Sequence, residues 1–196
     1  MAPRPLGRRP RKTREEIYQA AIELFMERGA HSVTMQDIAD HAETARSTVF
    51  NHYPSKNHLY EAFFKRFANA VLQAAKATNI SGFRATMYVY FETMAIEAER
   101  YKAILRDIVG LTLGGGSLRE TDLEIDTQMI DFISGLVQSG IESGEIGADL
   151  DVMETSGLLL GHITITNHDW VNQGQTTDLG DDHKARFELL FRGLKP

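Results

Sequence analysis

An all-α protein, with three short helices followed by a bundle of longer ones, is what this sequence predicts, on three observations. Apolar residues recur at the i, i+3, i+4, i+7 spacing of one helix stripe along most of the 196 residues. Glycine, proline and aspartate interrupt that pattern where helices need caps and stops. The alternation a strand requires occurs only in pairs, at Tyr88/Tyr90 and Ile163/Ile165.

The first helix starts at Thr13, which forms a capping box with Glu16. Ile17, Ala20, Ala21, Leu24 and Phe25 make its buried stripe, and Gly29 ends it. Thr34 with Asp37 opens a short second helix that points Met35, Ile38 and Ala39 inward. A third runs from about Ala45 to Tyr53, where Pro54 stops it. Ser55 caps a long fourth helix reaching about Ala77. Further helices are expected over 82–109, with a break near Glu99, and over 121–142, 151–172 and 179–194. Their separators are rich in glycine or aspartate: Gly110 to Ser117, Gly144 to Asp149, and Gln173 to Gly180.

Composition narrows the chemistry. The chain is 42% hydrophobic and 24% charged, an ordinary globular balance. It has no cysteine, which excludes disulfides, thiolate metal sites and thiol nucleophiles. No run of 18 apolar residues exists to span a membrane, and the basic N-terminus lacks the apolar stretch of a secretory signal, so a cytoplasmic protein is expected. The net charge of -6 is unevenly spread. Residues 1–60 carry nine Lys/Arg against seven Asp/Glu, and the remainder 12 against 20. Arg4, Arg8, Arg9, Arg11, Lys12 and Arg14 lie in the first 14 residues with no acid among them. A polyanion is therefore met at the N-terminal end, although a solvated tail has the same composition.

The segment Thr34 to Tyr53 carries the sharpest pattern. A helix-turn-helix needs a small residue where two helices cross and apolar clamps at fixed offsets. Ala39 is the small residue, Ile38 precedes it, and Val49 follows ten residues later. The second helix of the pair then turns Ala45, Arg46, Ser47, Thr48, Asn51 and His52 outward, short or polar groups able to approach bases and phosphates. Two core helices joined by a turn would share the apolar spacing.

The run TMQDIADHAETARSTVFNHYPSKNHL, residues 34–59, resembles the DNA-binding signature of the tetracycline-repressor (TetR) family. The resemblance covers about residues 13–60, and TVFNHYPSKNHL is its most specific part. It implies a basic arm (1–12), a helix-turn-helix domain (13–54) and an effector-binding and dimerisation domain (55–196). It also implies a homodimeric regulator, a repressor by expectation, released from a palindromic operator by a small molecule. By position, Thr34 matches a phosphate-contacting helix start, and Ala45, Arg46, Ser47 and Thr48 match the base-reading start of the recognition helix. Arg46 is the candidate for bidentate contact with guanine. Asn51 and His52 match positions facing bases or phosphates, and Lys56 matches a phosphate-contacting lysine. Arg8, Arg9 and Arg11 are candidates for entering the minor groove or lying along phosphates. Two residues depart from the signature: Phe50 stands where tyrosine is usual, and Glu43 where the turn usually has glycine.

Beyond residue 60 the sequence matches the family only in pattern. Phe64, Phe67, Met87, Tyr90, Phe91, Met94 and Tyr101 supply aromatic and methionine density suited to a lipophilic or aromatic effector, with His162 and Thr166 as polar candidates. The same residues at helical spacing also make an ordinary core. Gly157 and Gly161 would let a partner helix approach, and Phe187, Leu190, Phe191 and Leu194 offer an apolar stripe for dimerisation or for packing within one subunit. No metal site or cofactor is expected, since His162 lacks companion ligands at fixed spacing. Catalysis is disfavoured too: the Gly114-Gly115-Gly116-Ser117 run has no strand before it and no lysine after it. The competing reading is a helical adaptor or ligand-binding protein that does not touch DNA.

Overall fold

The structure, a computed structural model, describes residues 12–113 and 119–195, and the side chains of all of these except 110–113 and 119–124. Arg8, Arg9 and Arg11 and the Gly114–Ser117 run lie outside the described residues. Among the described residues there are nine helices and no strand. They are α1 (Arg14–Arg28), α2 (Met35–His41), α3 (Arg46–His52), α4 (Lys56–Lys76), α5 (Phe83–Arg100), α6 (Lys102–Leu113), α7 (Arg119–Ser143), α8 (Val152–Asn172) and α9 (Leu179–Leu194). The chain divides into two compact units, one up to Ala62 and one from Phe63 onward, and the cut falls inside α4.

In the first unit both expected capping boxes form. The Thr13 hydroxyl accepts from the Glu16 N–H at 3.2 Å, and Glu16 accepts from the Thr13 N–H at 2.8 Å. Thr34 and Asp37 repeat the exchange at 3.2 and 2.7 Å. These fix where α1 and α2 begin, and burial fixes how they pack. Ile17, Phe25, Ile38, Ala39, Val49 and Tyr53 are all sealed from solvent, each large apolar group among them contributing about 1.5–3 kcal/mol.

The turn between α2 and α3 is a Schellman motif: the Thr44 N–H reaches Ala39 O at 2.9 Å and the Glu43 N–H reaches Asp40 O at 3.1 Å. Glu43 occupies the left-handed position with φ +52°, a conformation glycine adopts without cost and other residues at about 1 kcal/mol. The departure from glycine therefore leaves the turn intact but strained.

The second unit is organised around an aromatic stack. Phe83 lies 5.8 Å from both Phe187 and Phe191, which are 5.6 Å apart, and Phe91 packs on Phe187 at 5.4 Å. α5 and α9 are thereby clamped together. Glu145 caps α5, accepting from the N–H groups of Phe83 and Arg84 at 3.1 and 3.3 Å. A Cβ on Gly82, where φ is +101°, would stand 2.8 Å from that carboxylate, so the cap requires glycine. The expected break in the long 82–109 helix falls at Tyr101, which separates α5 from α6. The Tyr101 ring packs edge-on against Phe63 at 5.3 Å, and Gln175 Nε2 donates to the Lys102 carbonyl at 3.1 Å, holding the interrupted backbone. Among the described residues no helix is long and apolar enough to cross a membrane, and no three His, Cys, Asp or Glu gather as a metal site.

Candidate nucleic-acid interface and effector cavity

α3 buries Val49 and exposes the opposite face. Ala45, Arg46, Ser47 and Asn51 are exposed, and Thr48 and His52 are half-buried beside them. Ala45 is the N-cap and makes no side-chain cap bond, so the start of α3 presents its own N–H groups outward. The Arg46 guanidinium lies 5.1 Å above the Phe50 ring. Phenylalanine at that position thus gives up a hydroxyl and supplies a platform for the arginine. Thr34, exposed at the start of α2, already gives its hydroxyl to the Asp37 cap.

Lys56 is placed differently from the expectation. Its ammonium donates to the carbonyls of Ala30, His31 and Val33 at 3.0, 3.2 and 3.1 Å. An ammonium has three N–H donors, and these three carbonyls take all of them. Lys56 therefore ties the start of α4 to the loop between α1 and α2, and a phosphate contact would have to break that tie. Lys56→Met, which keeps the stem and removes the charge, is expected to destabilise the first unit by about 1–3 kcal/mol. Thermal unfolding followed by helix signal checks this; an unchanged midpoint would mean the carbonyls lose nothing.

The second unit contains a cavity of about 120 Å³. α4 contributes Phe64 and Phe67, α5 Tyr90 and Met94, α7 Met129 and Asp126, and α8 Thr164, Asn167, His168 and Trp170, with Leu105 and Leu179 closing other sides. Four of the expected effector residues, Phe64, Phe67, Tyr90 and Met94, form its wall. Met87, Phe91, Tyr101, His162 and Thr166 pack beside it. Met87 and Phe91 have no exposed surface, and Tyr101 lies against Phe63 and Phe67. Burial pushes the Tyr90 phenol well above its ordinary range, and its hydroxyl meets Met129 Sδ at 3.6 Å.

Behind the wall stand two buried imidazoles with ring centres 5.4 Å apart. His183 stacks on Phe91 at 4.9 Å, and its Nε2 bonds Asn167 Oδ1 at 2.9 Å. His162 meets Phe91 edge-on at 5.7 Å. His162 Nε2 and His183 Nδ1 have no hydrogen-bond partner among the described residues. Burial pushes His162 down to about 4, helped by the Arg186 cation. It pushes His183 down to about 3, helped by His162 and Arg186.

The residues expected at a dimer interface separate into two groups. Phe187 and Phe191 are committed to the aromatic core of their own subunit, 0% and 4% exposed, which leaves them nothing to offer a partner. Leu190 and Leu194 are half-buried. Gly157 and Gly161 face open space, with nothing within 4 Å of an added Cβ. Around them α8 and α9 expose Leu158, Ile165 and Leu189, at 65%, 59% and 68%. The pairs His183–Asn167 and Arg186–Thr166 set an antiparallel register that brings Leu189 level with Gly161.

A helix-turn-helix with its polar face outward and a second helical unit with an apolar cavity define a ligand-responsive DNA-binding protein. Residues 17–63 match the family described as bacterial regulatory proteins, tetR family. Over 185 residues it is 26% identical to the fatty acid metabolism regulator protein of Bacillus subtilis (strain 168), covering 91% of this chain and 94% of that one. It is 27% identical to the HTH-type transcriptional repressor KstR2 of Rhodococcus jostii (strain RHA1), covering 92% and 90%. Its fold superposes on the FadR regulator of Bacillus subtilis in complex with stearoyl-CoA with a TM-score of 0.71 at 24% identity, covering 93% of this chain and all of that one.

Proposed function

We infer that this protein is a homodimeric repressor that reads a palindromic operator through α3 and leaves it when a lipophilic acyl compound enters the second unit. The observation that carries the reading is the outward face of α3, where Arg46 is exposed, makes no ion pair among the described residues and is held only by the Phe50 ring. One seven-residue helix offers few base contacts, and two helices related by a dimer axis read both halves of a palindrome. Gly157 and Gly161, flanked by Leu158, Ile165 and Leu189, give that dimer a face. Arg8, Arg9 and Arg11 add charge for phosphates or the minor groove.

Two considerations support an acyl effector: the apolar wall of the cavity, and relatives named for fatty acid metabolism and for a bound stearoyl-CoA. At about 120 Å³ the space is somewhat smaller than a cavity of roughly 150 Å³ that holds benzene. A long chain has to part the helices around it, so it binds the parted arrangement better. That difference in affinity is the free energy that drives release, typically about 1–3 kcal/mol. α4 supplies Phe64 and Phe67 to the cavity wall and Lys56 and Tyr60 to the first unit, so it takes part in both.

The test starts from an operator duplex selected out of the source genome. Dodecanoyl-CoA is expected to weaken operator binding about 5- to 150-fold. Operator affinity unmoved by saturating dodecanoyl-CoA would remove the acyl effector, and selection that enriches no duplex would favour the adaptor without DNA.

A further inference from the structure

The cavity wall holds few polar groups, and they differ in what they can accept. Asp126 is half-buried there, has no partner among the described residues, and is raised above its ordinary value by burial. No lysine or arginine lies among the described lining residues. The His168 ring, also in the wall, meets the Asn172 amide at 2.9 Å. A ligand carboxylate would thus meet an acid and no lysine or arginine of the lining.

Asn167 supplies the opposite property. Its Oδ1 faces His183 Nε2, and its Nδ2 has no partner among the described residues. Two tautomers of His183 fit the 2.9 Å contact. Donation from Nε2–H leaves Nδ1 a bare acceptor, whereas acceptance at Nε2 buries an orphaned Nδ1–H beside the Arg186 cation. A buried unsatisfied donor is the rarer and costlier arrangement, so Nε2 donates. Asn167, a lining residue of the cavity, is thereby held with its carbonyl toward His183 on α9 and its two N–H groups without a partner among the described residues.

We propose that this cavity selects an uncharged carbonyl group: Asn167 Nδ2 donates to the carbonyl oxygen, Asp126 turns carboxylates away, and His183 is the positioning residue behind Asn167. The proposal rests on the cavity being the effector site and names the chemistry it reads. An ester, thioester or amide fits, and a free fatty acid does not.

Trp170, the only tryptophan of the chain, stands in the wall, so its emission reports occupancy without DNA. Methyl decanoate and sodium decanoate are the probes, at pH 7.5 and below micelle formation. The ester is expected to bind at least about tenfold tighter than the carboxylate, the factor of one good hydrogen bond or one repelled charge. Asp126→Asn should improve decanoate about tenfold and leave the ester within about threefold. Asn167→Leu should remove most of the ester's advantage. His183→Phe, which keeps a ring on Phe91, should lose part of it, and His183→Gln, whose amide can still donate to Asn167, should restore that part. A purely structural histidine would change stability and leave the ester-to-acid ratio alone. Equal binding of ester and carboxylate by the wild type, or an unchanged ratio in Asn167→Leu, would overturn the selection while leaving a lipophilic effector standing. Trp170 emission unmoved by either probe would overturn both.

Discussion

Arg46→Ala is expected to abolish preference for the operator while leaving weak binding to any duplex nearly intact. Arg46 is the only described residue of α3 with a forked donor, and such a fork matches the two acceptors of guanine. One bidentate base contact discriminates by about 1–3 kcal/mol, and a dimer loses two of them, so specific affinity should fall by about 30-fold or more. The residue is exposed and the folded unit should not notice its loss, which unfolding measurements can verify. The salt dependence separates this role from the alternative. A base contact releases no counterion, so the slope of log K against log salt should barely change, whereas a phosphate contact would flatten it by about one per arginine. Arg46→Lys should behave like the alanine variant at the base, because an ammonium is a point donor without the fork. If Arg46→Ala weakened all duplexes equally and flattened the slope, Arg46 would be a phosphate contact and the reading of sequence would fall to Ser47, Thr48 and Asn51.

What the sequence discloses follows a physical division. Helix starts were legible because Thr13/Glu16 and Thr34/Asp37 form their caps locally, from residues three apart. The outward face of α3 was legible because Val49 fixes which side is inward. The Tyr101 break carries no glycine or proline to mark it exactly, since it is held by Phe63, Phe67 and Gln175, distant in the chain. Lys56 was expected at a phosphate because its position matches the family's phosphate-contacting lysine. Only the fold brings three carbonyls of the α1–α2 loop to it. Phe187 and Phe191 show the same limit: an apolar stripe tells that a face is covered, and not by which molecule. A cavity is harder still, because it exists where packing fails: Asn167 stands out only as a polar group in an otherwise apolar helix, and Asp126 and Trp170 carry no local sign of lining one.

Mild acid should loosen the second unit through its two buried histidines. In an unfolded chain His183 titrates at its ordinary 6.5, and in the folded protein burial against Phe91, with His162 and Arg186 nearby, holds it down to about 3. The unfolded chain therefore takes up the proton first. Stability from the neutral ring is complete above about pH 6.5 and is lost progressively as the pH falls from there toward 3. Each unit of that descent costs about 1.4 kcal/mol, so His183 alone removes about 2 kcal/mol by pH 5. His162, held down to about 4, acts in the same direction and by a similar amount down to pH 5, falling behind His183 only below that. Arg186, paired with Asp169 at 2.8 Å, stays charged throughout and repels both rings once protonated. Glu188 is held below its ordinary 4.5, first by the Tyr88 hydroxyl and then by Arg84, so its contribution survives until the pH falls past that value. The window from 6.5 to 5 thus belongs to the two histidines. Urea unfolding followed by Trp170 emission, which reads the second unit, should show the midpoint falling across it. His183→Gln, which keeps a donor for Asn167 and cannot titrate, should flatten the profile over the same range. A wild-type midpoint constant from pH 7 to 5 would mean that the pair is hydrated or charged in the folded protein.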